Sequence, residues 1–175
     1  GHMNYINTAA GYPMYKNTEV KYYSIGEDNY ADLIKELKKA KKYIFMEYFI
    51  IEEGQMWNGI LEILEEKAKE GLDVRLMYDD MGCISLLPYG YDKILEKKGI
   101  KCIAFNPFKP LLSLAMNNRD HRKITVIDGH TGFTGGINLA DEYINVKKRF
   151  GNWKDTGVML KGDGVWNLTM MFLEM

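Results

Sequence analysis

The chain has 175 residues, 46% of them apolar and 27% charged, with a formal net charge of -1. That is enough for one domain with a real core, and it leaves no global cationic footprint for bulk nucleic-acid binding. Cys83 and Cys102 are too far apart for a CxxC site and read as reduced, half-buried thiols; with few histidines, a zinc site is not expected. The leading Gly-His-Met reads as a cloning scar (1–3), so His2 carries no argument. No apolar run reaches the ~18 residues of a membrane span, and no secretory signal is visible.

In chain order, VKYYSIG (20–26) predicts a short strand. The next stretch, 27–42, is a helix whose Tyr30, Leu33, Ile34, Leu37 and Ala40 share one face, with Asp28 placed as the N-cap. YIFMEYFII (43–51) is β-branched and aromatic throughout, as in a central strand buried on both faces. A second amphipathic helix follows over 56–69, with Ile60, Leu61, Leu64 and Ala68 inward and Gly71 as its C-terminal stop. LDVRLMYDD (72–80) is a strand ending in two carboxylates, 89–98 a short helix closed by Gly99, and 100–105 another strand. The alternation predicts an α/β fold with a mixed, largely parallel sheet flanked by helices. After a proline-containing loop (107–118), HRKITVIDGHTGFTG (121–135) predicts a hairpin turning at Asp128–Gly129. A strand over 155–161 and a helix from Gly164 complete the pattern. The last residues, VWNLTMMFLEM, stop inside an apolar segment, which suggests a cut through a longer protein.

On an extended strand His121, Lys123 and Thr125 share a face. An imidazole beside an ammonium suits a phosphodiester. The imidazole attacks phosphorus, and the ammonium neutralises the equatorial oxygens. Gly135 and Gly136 allow close backbone approach to a phosphate, and Asn138 adds an amide donor. The imidazole also needs a carboxylate on its other nitrogen. Asp128 falls on the opposite face of a regular strand; Asp155, at the start of a later strand, is the better candidate. Glu47 within FMEYF reads as a structural carboxylate or a site residue. Asp79 and Asp80 read as caps of the following loop, with metal binding as the rival. The apolar loop 107–116 (PFKPLLSLAM) is either core packing or a lip that meets acyl chains, and 145–154 is a basic, aromatic loop that is solvated or meets anionic lipid.

The spacing His-x-Lys-x4-Asp-x6-Gly-Gly-x-Asn, met by His121, Lys123, Asp128, Gly135, Gly136 and Asn138, resembles the signature of the phospholipase D superfamily. EYFIIEEGQMW, VRLMYDDMG, FNPF, NNRDHRKI and GGINLADEYIN together resemble bacterial cardiolipin synthases over roughly 12–175. The resemblance implies a phosphatidyltransferase that joins two phosphatidylglycerol molecules through a phosphohistidine, releases glycerol, and uses no metal or other cofactor. It implies that His121 and Lys123 form half of a site, that Asn138 contacts phosphate, that Asp155 partners His121, and that Asp128 completes the motif while bracing the hairpin. That family carries two motifs; this chain carries one, since His130 has no lysine two residues on. Residues 4–175 are therefore expected to be a single domain, the first of two halves. The partners implied are phosphatidylglycerol, the second half and an anionic membrane surface, not nucleic acid. The full-length protein is expected at the cell membrane with this domain facing the cytoplasm, the fragment itself being soluble. The alternatives are another superfamily phosphodiesterase, such as a phospholipase or nuclease, acting as a homodimer, or a non-catalytic half-domain.

Overall fold

The protein is described by a computed structural model covering residues 17–79, 82–83, 86–105, 123–145 and 156–173. Seven strands form one sheet: β1 (Glu19–Tyr23), β2 (Tyr43–Tyr48), β3 (Asp73–Asp79), β4 (Lys101–Phe105), β5 (Ile124–Ile127), β6 (Thr131–Gly135) and β7 (Gly157–Lys161). Helices α1 (Gly26–Lys38), α2 (Gln55–Lys69), α3 (Tyr91–Lys97) and α4 (Val165–Leu173), with a 3-10 turn at Asp141–Ile144, complete the described elements. The strand order is β1-β7-β6-β5-β2-β3-β4.

The mixed α/β class read from the sequence is the observed one, but the expected largely parallel sheet is largely antiparallel. Parallel pairing is confined to β2–β3 and β3–β4. The other four neighbouring pairs, β2–β5, β5–β6, β6–β7 and β1–β7, are antiparallel. The cause lies in the connections. Helices α2 and α3 carry the chain back between β2, β3 and β4, as parallel neighbours require, whereas β5 and β6 are joined by a tight hairpin.

The main core lies between the sheet and α1, α2 and α3. Leu33, Leu37 and Ala40 of the first amphipathic segment are buried there, with Tyr30 and Ile34 packed at its margin. From α2, Ile60 and Leu64 are joined by Met56 and Trp57, the latter donating its indole N–H to the Tyr91 hydroxyl at 2.8 Å. A buried indole and phenol thus satisfy each other. The opposite face is covered by α4, whose Val165, Leu168 and Phe172 meet Phe45, Met77, Ile124 and Val126. Phe172 stacks on Phe45 with centroids 4.9 Å apart, a pairing that contributes about 0.5–1.5 kcal/mol beyond its burial. No helix among the described residues is long and apolar enough to cross a membrane.

Local signals mostly hold. Gly71 and Gly99 take positive φ, 95° and 87°, just past the caps of α2 and α3, where a side chain would be strained. One cap differs. Helix α1 begins at Gly26 with Ile25 as N-cap, leaving Asp28 inside the first turn. Tertiary contact sets that start: a Cβ on Gly26 would collide with the Tyr143 carbonyl oxygen, so only glycine lets the helix enter against the 3-10 turn. Asp28 still favours the positive end of the helix dipole.

Cys83 and Cys102 are free and deeper than the half-burial expected, at 2% and 5% exposed. Burial, with Asp92 and Glu96 nearby, pushes the Cys102 thiol up to about 12. Neither thiol is expected to react with Ellman's reagent at pH 8 until denaturant is added; rapid titration of two thiols in the native protein would contradict this packing.

Candidate functional site

The motif spacing becomes one excursion across the sheet. Lys123 stands immediately before β5, and the four residues between it and Asp128 are β5 itself. The chain turns at Asp128–Gly129, returns along β6, and reaches Gly135, Gly136 and Asn138. Because β5 runs antiparallel to β2, Lys123 lies at the carboxyl end of β2. Asn138 is brought to the same end by a short parallel extension. Ile51 bridges Leu139, the Leu139 N–H donates to the Ile50 carbonyl at 3.1 Å, and the Glu52 N–H donates to the Leu139 carbonyl at 3.0 Å. Carboxyl ends of parallel strands are where open α/β sheets gather ligands.

Asn138 is buried and oriented from both ends. Its Oδ1 accepts the Ile50 N–H at 3.0 Å, and its Nδ2 donates to the Tyr143 hydroxyl at 3.3 Å. A backbone N–H can only donate, so the amide oxygen must face Ile50 and the NH2 must face the other way. Of its two N–H donors, Tyr143 takes one. The Lys123 ammonium stands 6.0 Å from the centroid of the Phe49 ring, at the outer limit of cation–π contact. Glu47 is fully buried on β2, paired in register with Ile124 and on the face that carries Phe45. Asp79, at the end of β3, accepts the Gly82 N–H on Oδ1 at 3.0 Å, and its carbonyl accepts the Cys83 N–H at 3.1 Å. It caps the loop that follows.

Asp128 sits at the other end of β5 from Lys123, about 15 Å away for a strand of this length. It and Gly129 both have positive φ, 54° and 78°, the pairing that a type I′ turn requires. Its carboxylate accepts the N–H groups of Lys41, Lys42 and Tyr43 at 2.9, 2.7 and 3.0 Å. Its own N–H donates to the Tyr43 carbonyl at 3.0 Å. The contacts are those of a brace that fastens the hairpin to the start of β2. Strand alternation does not apply to it, because it belongs to the turn.

The glycine pair also has an architectural reason. Gly135, at φ 130°, pairs with Gly157. A Cβ there would lie 2.5 Å from the Thr156 carbonyl oxygen and 2.9 Å from the Gly157 Cα. The Gly136 N–H donates to that same carbonyl at 2.9 Å. His121, Asp155 and Asp80, the 107–116 loop and residues 146–154 lie outside the described residues. Among residues that sequence reasoning did not single out, Phe49 faces the Lys123 ammonium, Tyr48 is buried against Thr125, and Tyr143 holds Asn138. The local signal for Tyr48 and Phe49 was the aromatic pair inside FMEYFII.

Burial alone would raise the Asp128 carboxyl, but the three backbone donors, with His130 nearby, hold it below the ordinary carboxylate range. The sign follows from that depression: the stabilisation is complete above the unfolded value near 3.9 and is lost as pH falls through the lower folded value. Asp128→Asn keeps the left-handed backbone accessible, removes the charge, and leaves only one of the two acceptor oxygens to serve the three N–H groups. It should cost about 1–2 kcal/mol at pH 7, the low end for hydrogen bonds to a charged group because the brace is part-exposed. Denaturant melts from pH 7 to pH 3 should show the gap between wild type and Asp128→Asn closing on acidification; a gap constant with pH would remove the charge from the account.

Residues 33–149 match the family model described as "Cardiolipin synthase, PLD-like domain". An uncharacterized protein of Streptococcus mutans is 55% identical over 98% of this chain and 37% of its own length. Cardiolipin synthase 2 of Staphylococcus epidermidis is 42% identical over 90% of this chain and 32% of its own. The chain thus spans about a third of the length of these curated relatives. Among solved structures, NucT from Helicobacter pylori shares the fold with a TM-score of 0.69 at 14% identity, covering 91% of this chain and 96% of that one.

Proposed function

The chain belongs to the phospholipase D-like domain family of cardiolipin synthases, and from that premise we propose that it is one catalytic half of a phosphatidyltransferase making cardiolipin from two phosphatidylglycerol molecules. The observation that carries the reading is the return of the motif hairpin, which brings Lys123 and Asn138 to one end of the sheet.

In this reading His121 supplies the imidazole. A P–N bond forms at the phosphatidylglycerol phosphorus while the P–O bond to the glycerol headgroup breaks, and a histidine of a second motif gives that oxygen its proton. The same histidine then takes the proton from the glycerol hydroxyl of a second phosphatidylglycerol. The resulting oxygen attacks phosphorus, the P–N bond breaks, and cardiolipin leaves. Lys123 neutralises charge on the non-bridging oxygens, and the Asn138 amide, with its NH2 end turned from Ile50, donates to one of them. Asp155 holds the other nitrogen of His121. Gly135 and Gly136 flank the phosphate. Asp128 acts through the hairpin that it braces. The half-site assignment makes residues 4–175 the first of two such domains, in a protein that works at the anionic cytoplasmic face of the cell membrane without a metal or other cofactor.

A second reading has one observation in its favour. The Helicobacter fold relative is matched over nearly its whole length, so the fold also occurs as a chain of this size. In that case two copies supply the two histidines of a phosphodiesterase.

Phosphatidylglycerol turnover separates the two. As a half-domain the monomeric chain should be nearly inactive, because loss of general-acid help alone costs roughly 10²–10⁴-fold. Within the two-motif protein, Lys123→Ala should lower kcat by about 10²–10³-fold, as loss of a transition-state charge partner does. Robust turnover by a demonstrated monomer defeats the half-domain reading, and a rate rising with the square of concentration supports the homodimer.

The loop 107–116 is proposed to meet acyl chains. Leu111→Ser with Leu112→Ser should weaken flotation with phosphatidylglycerol vesicles, since each buried leucine contributes ~1.5–3 kcal/mol. Unchanged flotation together with a lowered Tm would instead assign the loop to the core.

A further inference from the structure

Tyr48 and Thr125 meet directly beneath the proposed site, with the Tyr48 hydroxyl and Thr125 Oγ1 2.6 Å apart. Both are buried, at 4% and 0% exposure. They sit on neighbouring strands. The β2–β5 register pairs Ile44 with Ile127, Phe45 with Val126, Met46 with Thr125 and Glu47 with Ile124. One further step sets Tyr48 across from Lys123, with Thr125 as its diagonal neighbour on the same face. The tyrosine therefore touches the strand at the residue that shares a face with Lys123. Backbone pairing fixes the spacing of the two strands, but it leaves their relative slide and tilt to side chains.

We propose that Tyr48 and Thr125 are a positioning pair for phosphoryl transfer, holding the start of β5 so that Lys123 meets the phosphate in the transition state. The inference rests on the phosphatidyltransferase reading above. Four features support it. The bond is short. Neither hydroxyl reaches solvent. Burial pushes the Tyr48 phenol up to about 12, so it stays a neutral hydroxyl at working pH, moderated only by Thr125. And Phe49, the residue just past the end of β2, carries the ring that the Lys123 ammonium faces. Anchoring Tyr48 thus anchors the aromatic floor of the lysine as well as its strand. Neither hydroxyl is assigned any contact with substrate.

A pair that only stabilises the fold and a pair that positions a strand respond differently to removal of both hydroxyls. Tyr48→Phe and Thr125→Val singly each leave one buried hydroxyl without its partner and should lower Tm. Tyr48→Phe/Thr125→Val removes both polar groups with little change of shape, so stability should recover. Activity should not recover with it. In the two-motif protein the double variant is expected to lose about 10- to 100-fold in kcat, as small misplacements of a reacting assembly do. KM should stay near the wild-type value, because the loss falls on the transition state. The pH–rate profile should keep its shape, since no group that titrates in the working range is removed. Thr125→Ser, which retains the hydroxyl, should restore kcat. A double variant with wild-type stability and wild-type kcat overturns the proposal, as does a rise in KM without a fall in kcat, or a failure of Thr125→Ser to recover. Lys123→Ala measured alongside separates the two levels. Absence of cardiolipin formation by the wild-type two-motif protein defeats the phosphatidyltransferase reading, no loss in Lys123→Ala defeats the role given to the lysine, and loss there without loss in the double variant defeats only the positioning pair.

Discussion

Everything in this domain depends on β2 having a partner of opposite sense on each side. It pairs parallel with β3 and antiparallel with β5. A strand in that position has no edge and no solvent face, which is why its sequence is apolar or aromatic apart from Glu47. The same position makes it the joint between a crossover-connected half and a hairpin-connected half. A one-residue slip of β5 against β2 would exchange the two cores, sending Val126 and Ile124 to the side of α1 and α2 and Thr125 to the side of α4. Register here is therefore protected by two hydrophobic cores at once, and the site inherits that precision.

The brace at Asp128 secures the far end of the same pairing. Its carboxylate reaches three successive backbone donors just before and at the start of β2, so the hairpin is held in place by β2 rather than by its own turn alone. An asparagine could occupy the same left-handed backbone but would bring one weaker acceptor oxygen to donors that are divided between two. Glycine would fit the backbone and bring none. Aspartate is the side chain that answers both demands, which gives a physical reason for its place in the motif without any contact with substrate.

Local features of this fold were legible in the sequence because local physics sets them. The 3.6-residue spacing of Leu33, Leu37, Ile60 and Leu64 marks buried helix faces, and Gly71, Gly99 and Asp128–Gly129 mark places where φ must turn positive. What was not legible depends on who lies next to whom. Nothing near Ile25 announces that the helix will start one turn ahead of the expected cap, because the reason sits at Tyr143. Nothing near Thr125 names Tyr48, 77 residues away. The β5–β6 hairpin was legible at Asp128–Gly129, but the antiparallel pairings of β5 with β2 and of β7 with β6 and β1 were not, because an apolar run such as ITVI suits either direction. Asn138 was legible as a polar residue after two glycines, but the orientation of its amide is fixed by Ile50 and Tyr143.

The motif then separates into two kinds of requirement. In the proposed reading His121, Lys123 and Asn138 are chemical choices, and the intervals between Lys123, Asp128 and Gly135 are measurements of a hairpin. The four residues between Lys123 and Asp128 span β5, and the six between Asp128 and Gly135 make the turn and the return along β6. Shortening either interval by one residue would flip the facing of a strand, and lengthening either would need a bulge. Gly135 must lack a side chain because β7 lies against it, and Gly136 must spend its N–H on Thr156 so that the chain can bend back toward Ile50. A spacing that reads in the sequence as a list of residues is, in three dimensions, a path that leaves the carboxyl end of β2, is fastened at the other end, and comes back with an amide at the end it left.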